Sequence, residues 1–542
     1  MKKVVIICLF LLSSCHNYID VEMLRTFDND SKISGIRGVV SGVFQKKNQI
    51  GGFYIQDSRY FHNKSIFVNS FERVSIGDEI ILNARLINVK NEVQLDNVDA
   101  INVLSKNCFI NIEKLSFPIS DEQLEQLEGC LVEINDDLEI SDSYQFNKYG
   151  QLLLAKNQLM QETEIYDAQH DSDKISNLNI QQKLNSIYVD DLSDQKFPDM
   201  DSLYIDPLKV VVGAKCSNIK GFVSQYKNSY KLRLIDDLIV ENVTQPNLRD
   251  FNSTLTIMNF NLHNLFNGDG QKNGFPTERG AKTYDEYKLQ MKKLAATIYE
   301  VDPDIIAMME LENDGEGELS SIQQFCNFLN LNSDRTYNIS HSNGVESTYP
   351  IKTGIIYDLN VVKAMGEAYY HNHSIFSRPP LFQRFSYKGV LEFIVSANHF
   401  KSKGSRGASG LDTDQNDGQA SYNDKRIQQA EVLLDLIDSL YSEENILVLG
   451  DFNAYTQEDP IQKLQSSNLR RLETKNYSYV YKGKMGNLDH VLVSDNFKHK
   501  IHQIRTWNIN AIYPNWIDYS HKIADSSYYR SSDHNPMIIE IN

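Results

Sequence analysis

Asp451 and Asn453 follow four consecutive apolar residues, Ile446 to Leu449, and a glycine, Gly450. The apolar run predicts a strand buried on both faces. Gly450 ends it, because there the backbone can turn without a Cβ clash. Two positions apart, the carboxylate and the carboxamide can face one spot at the strand end. Their oxygens are hard ligands, suited to a hard cation with a phosphate oxygen. The alternative is a strand followed by an Asx turn.

Other strand-like runs end in polar residues of the same kind. Thr256 to Phe260 leads into Asn261, His263 and Asn264. Ile305 to Met309 leads into Glu310, Glu312 and Asn313. Phe393 to Ala397 leads into Asn398, His399, Lys401 and Lys403. Near the end stand Leu488-Asp489-His490 and Ser532-Asp533-His534. In this order the set resembles the endonuclease/exonuclease/phosphatase superfamily, the fold of pancreatic deoxyribonuclease and of abasic-site endonucleases. The resemblance implies an α/β (α+β) four-layer β-sandwich nuclease domain over residues 250–542. Amphipathic helices between the strands agree with it. One is capped at Thr283 and Glu286 and carries Tyr287, Met291, Leu294 and Ile298 at helical spacing.

The resemblance also implies roles. Glu310, with Asn261, Asp533 and Asp451, would hold Mg²⁺ or Mn²⁺. Asp451 and Asn453 would orient water or a second ion. His534, oriented by Asp489, would transfer a proton. His399 would contact the scissile phosphate or protonate the leaving group, and the division of acid and base between the two histidines stays open. Arg378, in Phe376-Ser377-Arg378-Pro379-Pro380-Leu381, is similar in setting to an arginine that pancreatic deoxyribonuclease places against substrate phosphate. The alternative is a surface arginine in a proline turn. Asn261 and Lys401 are further candidates for substrate binding. His490 is expected to be structural, and His534 to sit in an open cleft. Arg279-Gly280-Ala281 and Asp414 to Gln419 are similar to segments of exeM-type bacterial extracellular nucleases, which often carry tryptophan where this chain has Tyr422. Asp412, Asp414 and Asp417 could add a Ca²⁺ site, but their spacing lacks the distal glutamate of an EF-hand loop.

These residues occupy the second half of a 542-residue chain of ordinary globular composition, 41% hydrophobic and 23% charged, which predicts two or three domains. The net charge of −18 argues against holding DNA by bulk charge alone. Local basic groups and bound cations can offset an acidic surround.

Lys2 and Lys3 precede an apolar run, Val4 to Leu12, a signal-peptide pattern too short to span a bilayer. Leu12-Ser13-Ser14-Cys15 resembles a bacterial lipoprotein box. It implies a signal peptide over residues 1–15 and a membrane anchor through lipid on Cys15, on the outer membrane or cell surface. A plain secretory signal with an incidental cysteine is the alternative. Export would permit a disulfide between two of Cys108, Cys130 and Cys216, which lack metal-finger spacing. Cys326 lies in an apolar helical pattern and reads as a buried thiol.

Residues 30–106 read as short, glycine-punctuated strands of a small barrel. They resemble the oligonucleotide/oligosaccharide-binding (OB) barrel found ahead of the catalytic domain in bacterial extracellular nucleases. Such a barrel could stack bases on Phe53, Tyr54 or Phe67, helped by Lys46, Lys47 and Arg59; alternatively the rings fill the barrel. Residues 107–245 read as a second β-rich module, with strands over Leu124 to Ile134 and Tyr149 to Leu154, and a long loop or insertion over 161–203. Thr244 to Arg249 reads as the linker.

The resulting expectation is a metal-dependent phosphodiesterase, an exported cell-envelope nuclease acting on extracellular DNA, with RNA left open. A phosphomonoesterase or sphingomyelinase-like hydrolase of the same superfamily is the alternative. A non-catalytic lipoprotein binding nucleic acid or glycan is the alternative of another class.

Overall fold

The computed structural model describes residues 18–57, 64–200, 203–241, 243, 255–521 and 524–542. The signal segment with Cys15, Arg59 and the linker Thr244 to Arg249 lie outside them. Among the described residues no helix is long and apolar enough to cross a membrane.

The N-terminal strands are β1 (Lys32–Phe44), β2 (Gly52–Gln56), β3 (Ser65–Val68), β4 (Glu79–Val89) and β5 (Glu92–Ser105). They hydrogen-bond in the order β1-β2-β3-β5-β4, and β4 returns to β1, so the sheet closes into a ring. Alternate residues of β4 point inward, which fills the ring with Val40, Phe53, Ile55, Leu82 and Leu95. The expected stacking platform is not there. Phe53, Tyr54 and Phe67 are 0%, 1% and 6% exposed. Phe53 fills the barrel, while Tyr54 and Phe67 glue it to the next module, the Tyr54 ring stacked on Phe222 at 4.2 Å.

The second module is a nine-stranded sheet. The span read as a loop holds helix α1 (Ser172–Leu184) and a central strand, Ser186–Asp190, between Leu152–Ala155 and Ser229–Leu234. Helix α1 escaped sequence reading because it has no apolar face; its buried residue is Gln182. The strand expected over Leu124 to Ile134 is divided. Asp121–Gln126 is helical, capped reciprocally by Ser120 and Gln123, and the strand proper is Leu131–Ile134. No disulfide joins Cys108, Cys130, Cys216 or Cys326.

This module is welded to the C-terminal half of the chain. Leu159 and Met160 pair in parallel with Lys484 and Met485. Trp516, 2% exposed, inserts into the module's core with its ring 5.1 Å from Phe146. Glu164 is buried at the junction and accepts from Thr456 and Asn487.

The main elements of the C-terminal half are β6 (Leu255–Leu265), α2 (Tyr284–Val301), β7 (Ile305–Glu312), α3 (Ser321–Asn330), β8 (Tyr337–Ile339), β9 (Ile351–Asp358), β10 (Leu381–Tyr387), β11 (Leu391–His399), α4 (Asn423–Leu440), β12 (Ile446–Asp451), α5 (Asp459–Gln465), β13 (Asp489–Ser494), β14 (Ile501–Thr506) and β15 (Met537–Ile541). One sheet runs β8-β9-β7-β6-β15-β14; the other has β10-β11-β12-β13 at its centre. Ile257, Ile305 and Ile539 of the first meet Phe393, Leu447 and Val491 of the second. Helices α2 and α3 cover the outer face of the first sheet, α4 and α5 that of the second. Four layers result, a sheet-rich α/β sandwich with β-rich modules ahead of it. Strands β6, β7 and β12 are buried on both faces, which is why they read as near-continuous apolar runs.

Candidate active site

His399, Asp451 and Asp489 lie abreast on three neighbouring strands. His399 at the end of β11 is the register partner of Asp451 at the end of β12. Asp451 in turn pairs with Asp489, the first residue of antiparallel β13. Gly450 permits this crowding: its φ is +146°, and a Cβ there would meet the Asn398 carbonyl oxygen at 2.0 Å. The other sheet contributes across the gap. Asn261, near the end of β6, donates from Nδ2 to Asp451 Oδ2 at 3.2 Å.

Beside Asn261 the ladder breaks. The β6–β7 register shifts between Asn261 and Leu265, and the β7–β9 register between Met308 and Leu311. Glu310 sits in this irregularity with φ +63°, a strained conformation for a residue with a side chain. Bulges of this kind re-aim side chains beside functional sites. Glu310 Oε2 accepts from Asn264 Nδ2 at 2.6 Å.

The chain's tail closes the site. His534 Nδ1 donates to Asp489 Oδ2 at 2.7 Å, and its Nε2 lies 3.9 Å from Asp451 Oδ2. His399 Nε2 lies 3.5 Å from Asp451 Oδ2 and 4.0 Å from Glu310 Oε1. Asp451 therefore stands between two imidazoles. Burial, with Asp489 and Glu310 nearby, pushes its carboxyl up to about 7 even though His534 pulls the other way. Burial alone would lower His534, but the Asp489 and Asp451 carboxylates outweigh it and raise the imidazole well above its usual range. His399 is lowered well below that range by burial and by Arg378. The two imidazoles are thus pushed in opposite directions, His534 up and His399 down. Asp533 is held down at about 2, where His263, His534 and Arg530 overcome the cost of burial. His534 itself is 6% exposed, not in the open cleft expected, because the Tyr479 ring covers it at 4.6 Å.

At Asn453 the structure shows the Asx turn. Its backbone N–H donates to Asp451 Oδ1 at 2.9 Å, an Asx turn, and its side chain donates to the Phe400 carbonyl at 3.2 Å. Arg378 is buried, with Nε donating to the His399 carbonyl at 3.1 Å and Nη2 to that of Phe400. It is neither a surface arginine nor free to offer its whole fork to a phosphate. With Arg279 it flanks the ring of Tyr349, at 5.4 and 5.2 Å. Lys401 stacks its ammonium on Tyr422 at 4.2 Å, which gives that tyrosine its work. His490 is a core histidine, bonded to the Ala454 carbonyl at 2.8 Å and pushed down to about 3 by burial. Asp412, Asp414 and Asp417 accept from backbone N–H groups of Lys425, Asn416 and Gln419. Tyr349, Tyr479 and Arg530 escaped sequence reading, since none stands at a strand end with a polar cluster.

Among the described residues no three His, Cys, Asp or Glu groups converge as a ligand set. Mg²⁺ needs no such set: it is held by one or two carboxylates, with water and phosphate filling the other positions. The donors here suit it. Glu310 is the partly open carboxylate, the Asn264 side-chain oxygen is buried without a hydrogen-bond partner, and Asp451 adds a second carboxylate close by.

Residues 258–534 match the sequence profile of the Endonuclease/Exonuclease/phosphatase family. No curated protein sequence matches the chain. Among solved structures it is similar to the human nocturnin catalytic domain, with 14% identity, TM-score 0.35, and 53% of this chain and 94% of that one covered. A family protein from Bacteroides thetaiotaomicron overlays with 14% identity, TM-score 0.36, and 53% and 97% covered. A mannosyl-6-phosphatase from the same organism overlays with 14% identity, TM-score 0.35, and 53% and 99% covered.

Proposed function

The chain belongs to the endonuclease/exonuclease/phosphatase family, whose members hydrolyse phosphoester bonds, and from that premise we propose that it is a metal-dependent phosphodiesterase, a nuclease with DNA as its favoured substrate. The observation that carries this reading is the 2.7 Å His534–Asp489 pair set against Asp451, which a second histidine, His399, approaches at 3.5 Å.

Hydrolysis in line needs an oriented water, charge relief on the phosphoryl oxygens and a proton for the leaving oxygen. A Mg²⁺ or Mn²⁺ ion held by Glu310, with Asn261 and Asp533 beside it, would supply charge relief. Asp489 fixes the His534 ring so that Nε2 faces the reacting centre. Asp451 Oδ2, pinned by Asn261, is the oxygen placed to take a proton from water. His399 presents Nε2 to the phosphate from the opposite side. Arg279, Arg378 and Lys401 give this side a positive rim, which suits a charged diester.

We read the N-terminal ring as an OB-like barrel, supported by its 1-2-3-5-4-1 strand order. Export and a lipid on Cys15 rest on the residues before position 16.

The test is incubation of the purified protein with circular plasmid, RNA and a chromogenic phosphomonoester, each with and without chelator. Chelator-sensitive nicking of the plasmid is expected. Turnover of the monoester alone would replace this reading with the phosphatase one.

A further inference from the structure

A cleft of about 1220 Å³ opens where the barrel, the second module and the catalytic domain meet. That exceeds the roughly 300–1,000 Å³ of a pocket for one small ligand. Its floor at one end is Asp533, beside His534, and Tyr479, whose ring covers that histidine. From there it runs away from the catalytic residues onto the two N-terminal modules.

Its walls carry four open aromatic rings. Tyr144 is 70% exposed, Tyr481 52%, Tyr226 46% and Tyr188 36%. Phe53, Tyr54 and Phe67 of the barrel are buried, so these four rings are the ones left for a ligand. Cations lie over two of them: Lys90 Nζ is 4.7 Å from the Tyr226 ring centre, and Lys482 Nζ 5.3 Å from that of Tyr481. Neither lysine forms an ion pair among the described residues. Of the acids that line the cleft, Asp190 pairs with Lys231 and Asp194 with Arg233, and Glu92, Asp142 and Asp533 line it as well.

We propose that this cleft is a track for a single strand of nucleic acid, leading its phosphodiester backbone to the active site. The proposal rests on the phosphodiesterase reading. Unpaired bases have free faces to stack on tyrosine rings, whereas a duplex hides them. The lysines that lie over these rings would swing aside to meet the phosphates between stacked bases. Tyrosine-rich clefts also suit sugar rings, but a neutral glycan offers the lysines no opposite charge to pair with.

The test uses the full chain with dye-labelled oligothymidylates of increasing length, in chelator so that binding is read without cleavage. Affinity should rise with length and level off once the track is filled. Tyr226→Ala and Tyr144→Ala should each weaken long oligonucleotides by about 5- to 150-fold, the range set by stacking of one base on an aromatic ring. Tyr226→Phe should bind like the unaltered protein, and Lys90→Glu should steepen the loss at low salt. With metal restored, all of these variants should hydrolyse bis-p-nitrophenyl phosphate, too short to use the track, at the unaltered rate. Equal binding by Tyr226→Ala and the unaltered chain overturns the proposal. So does equal binding of duplex, or full competition by a neutral oligosaccharide. Failure of every version to hydrolyse the small diester, with variant-sensitive oligonucleotide binding retained, would leave the track standing and remove the phosphodiesterase reading instead.

Discussion

Asp489 and His534 are 45 positions apart in sequence and 2.7 Å apart in space, both almost fully buried. Asp489 opens β13, and His534 lies on the loop that leads into β15. The two strands belong to different sheets, so this pair ties the sandwich together at the point where the chemistry occurs.

Removing the pair should therefore stop turnover. General acid–base groups contribute roughly 10²–10⁴-fold, and a loss of that size is expected for His534→Ala. Because the ring is buried, Ala would also leave Asp489 without its partner and lower the melting temperature. His534→Gln, which keeps a side-chain donor in place, separates the effects: turnover lost, melting nearly kept. Asp489→Asn should damage turnover too, and the double variant should be little worse than the worse single one. Normal turnover in a folded His534→Gln protein removes His534 from the mechanism.

Chelation should abolish diester hydrolysis, and Mg²⁺ or Mn²⁺ should restore it. Glu310→Gln keeps an acceptor for Asn264 but removes the ligand's charge. Its activity should need far more metal to recover, while its melting temperature in chelator matches the unaltered protein. Full activity of the unaltered protein in excess chelator is the result that sinks metal dependence.

Glu164 links the second module to the catalytic loops. Its carboxylate accepts from Thr456 N and Oγ1 at 3.2 and 2.7 Å, and from Asn487 N and Nδ2 at 3.0 and 2.9 Å. Asn487 lies just before Asp489, and Thr456 just after Asn453. Glu164→Ala strands buried donors, at about 1–3 kcal/mol each where no water replaces the carboxylate. Both melting temperature and kcat should fall, measured by calorimetry and plasmid nicking. A fall in melting alone would confine Glu164 to stability.

Asp191 offers a pH test away from the active site. Burial and the neighbouring Asp190 raise its carboxyl from 3.8 to about 7. A raised carboxylate favours the folded state fully below its unfolded value, and that contribution is lost as pH climbs through the folded value. Stability should thus decline between about pH 4 and 7 through this group. Asp191→Asn, which can still accept from Ser193 N, should raise the melting temperature at pH 8 and leave it unchanged at pH 3.5. Equal shifts at both values would show that titration is not the cause.

Cys15→Ser tests the anchor. If acyl chains on Cys15 hold the protein, the variant should leave the membrane fraction, since stable anchoring needs two such attachments or more. Retention after a high-salt wash would sink the lipoprotein reading.

The sandwich and its strand-end residues were legible in the sequence because fully buried strands leave apolar runs, and the polar residues that end those runs are placed at one rim of the sheets. Asn261, Glu310, His399 and Asp451 stand at those strand ends, and the resemblance to the superfamily singled them out among the polar residues there. Their states were not legible. That the His534 imidazole is raised and that of His399 lowered depends on which charges reach each ring, and Asp489 and Arg378 do so only after folding. The positive φ of Glu310 and the cover that Tyr479 lays on His534 come from sheet irregularity and loop docking, which have no local period. The barrel aromatics show the same limit. Composition makes Tyr54 and Phe67 equally fit to hold a base or a neighbouring module, and only the docking of Phe222 against them decided which.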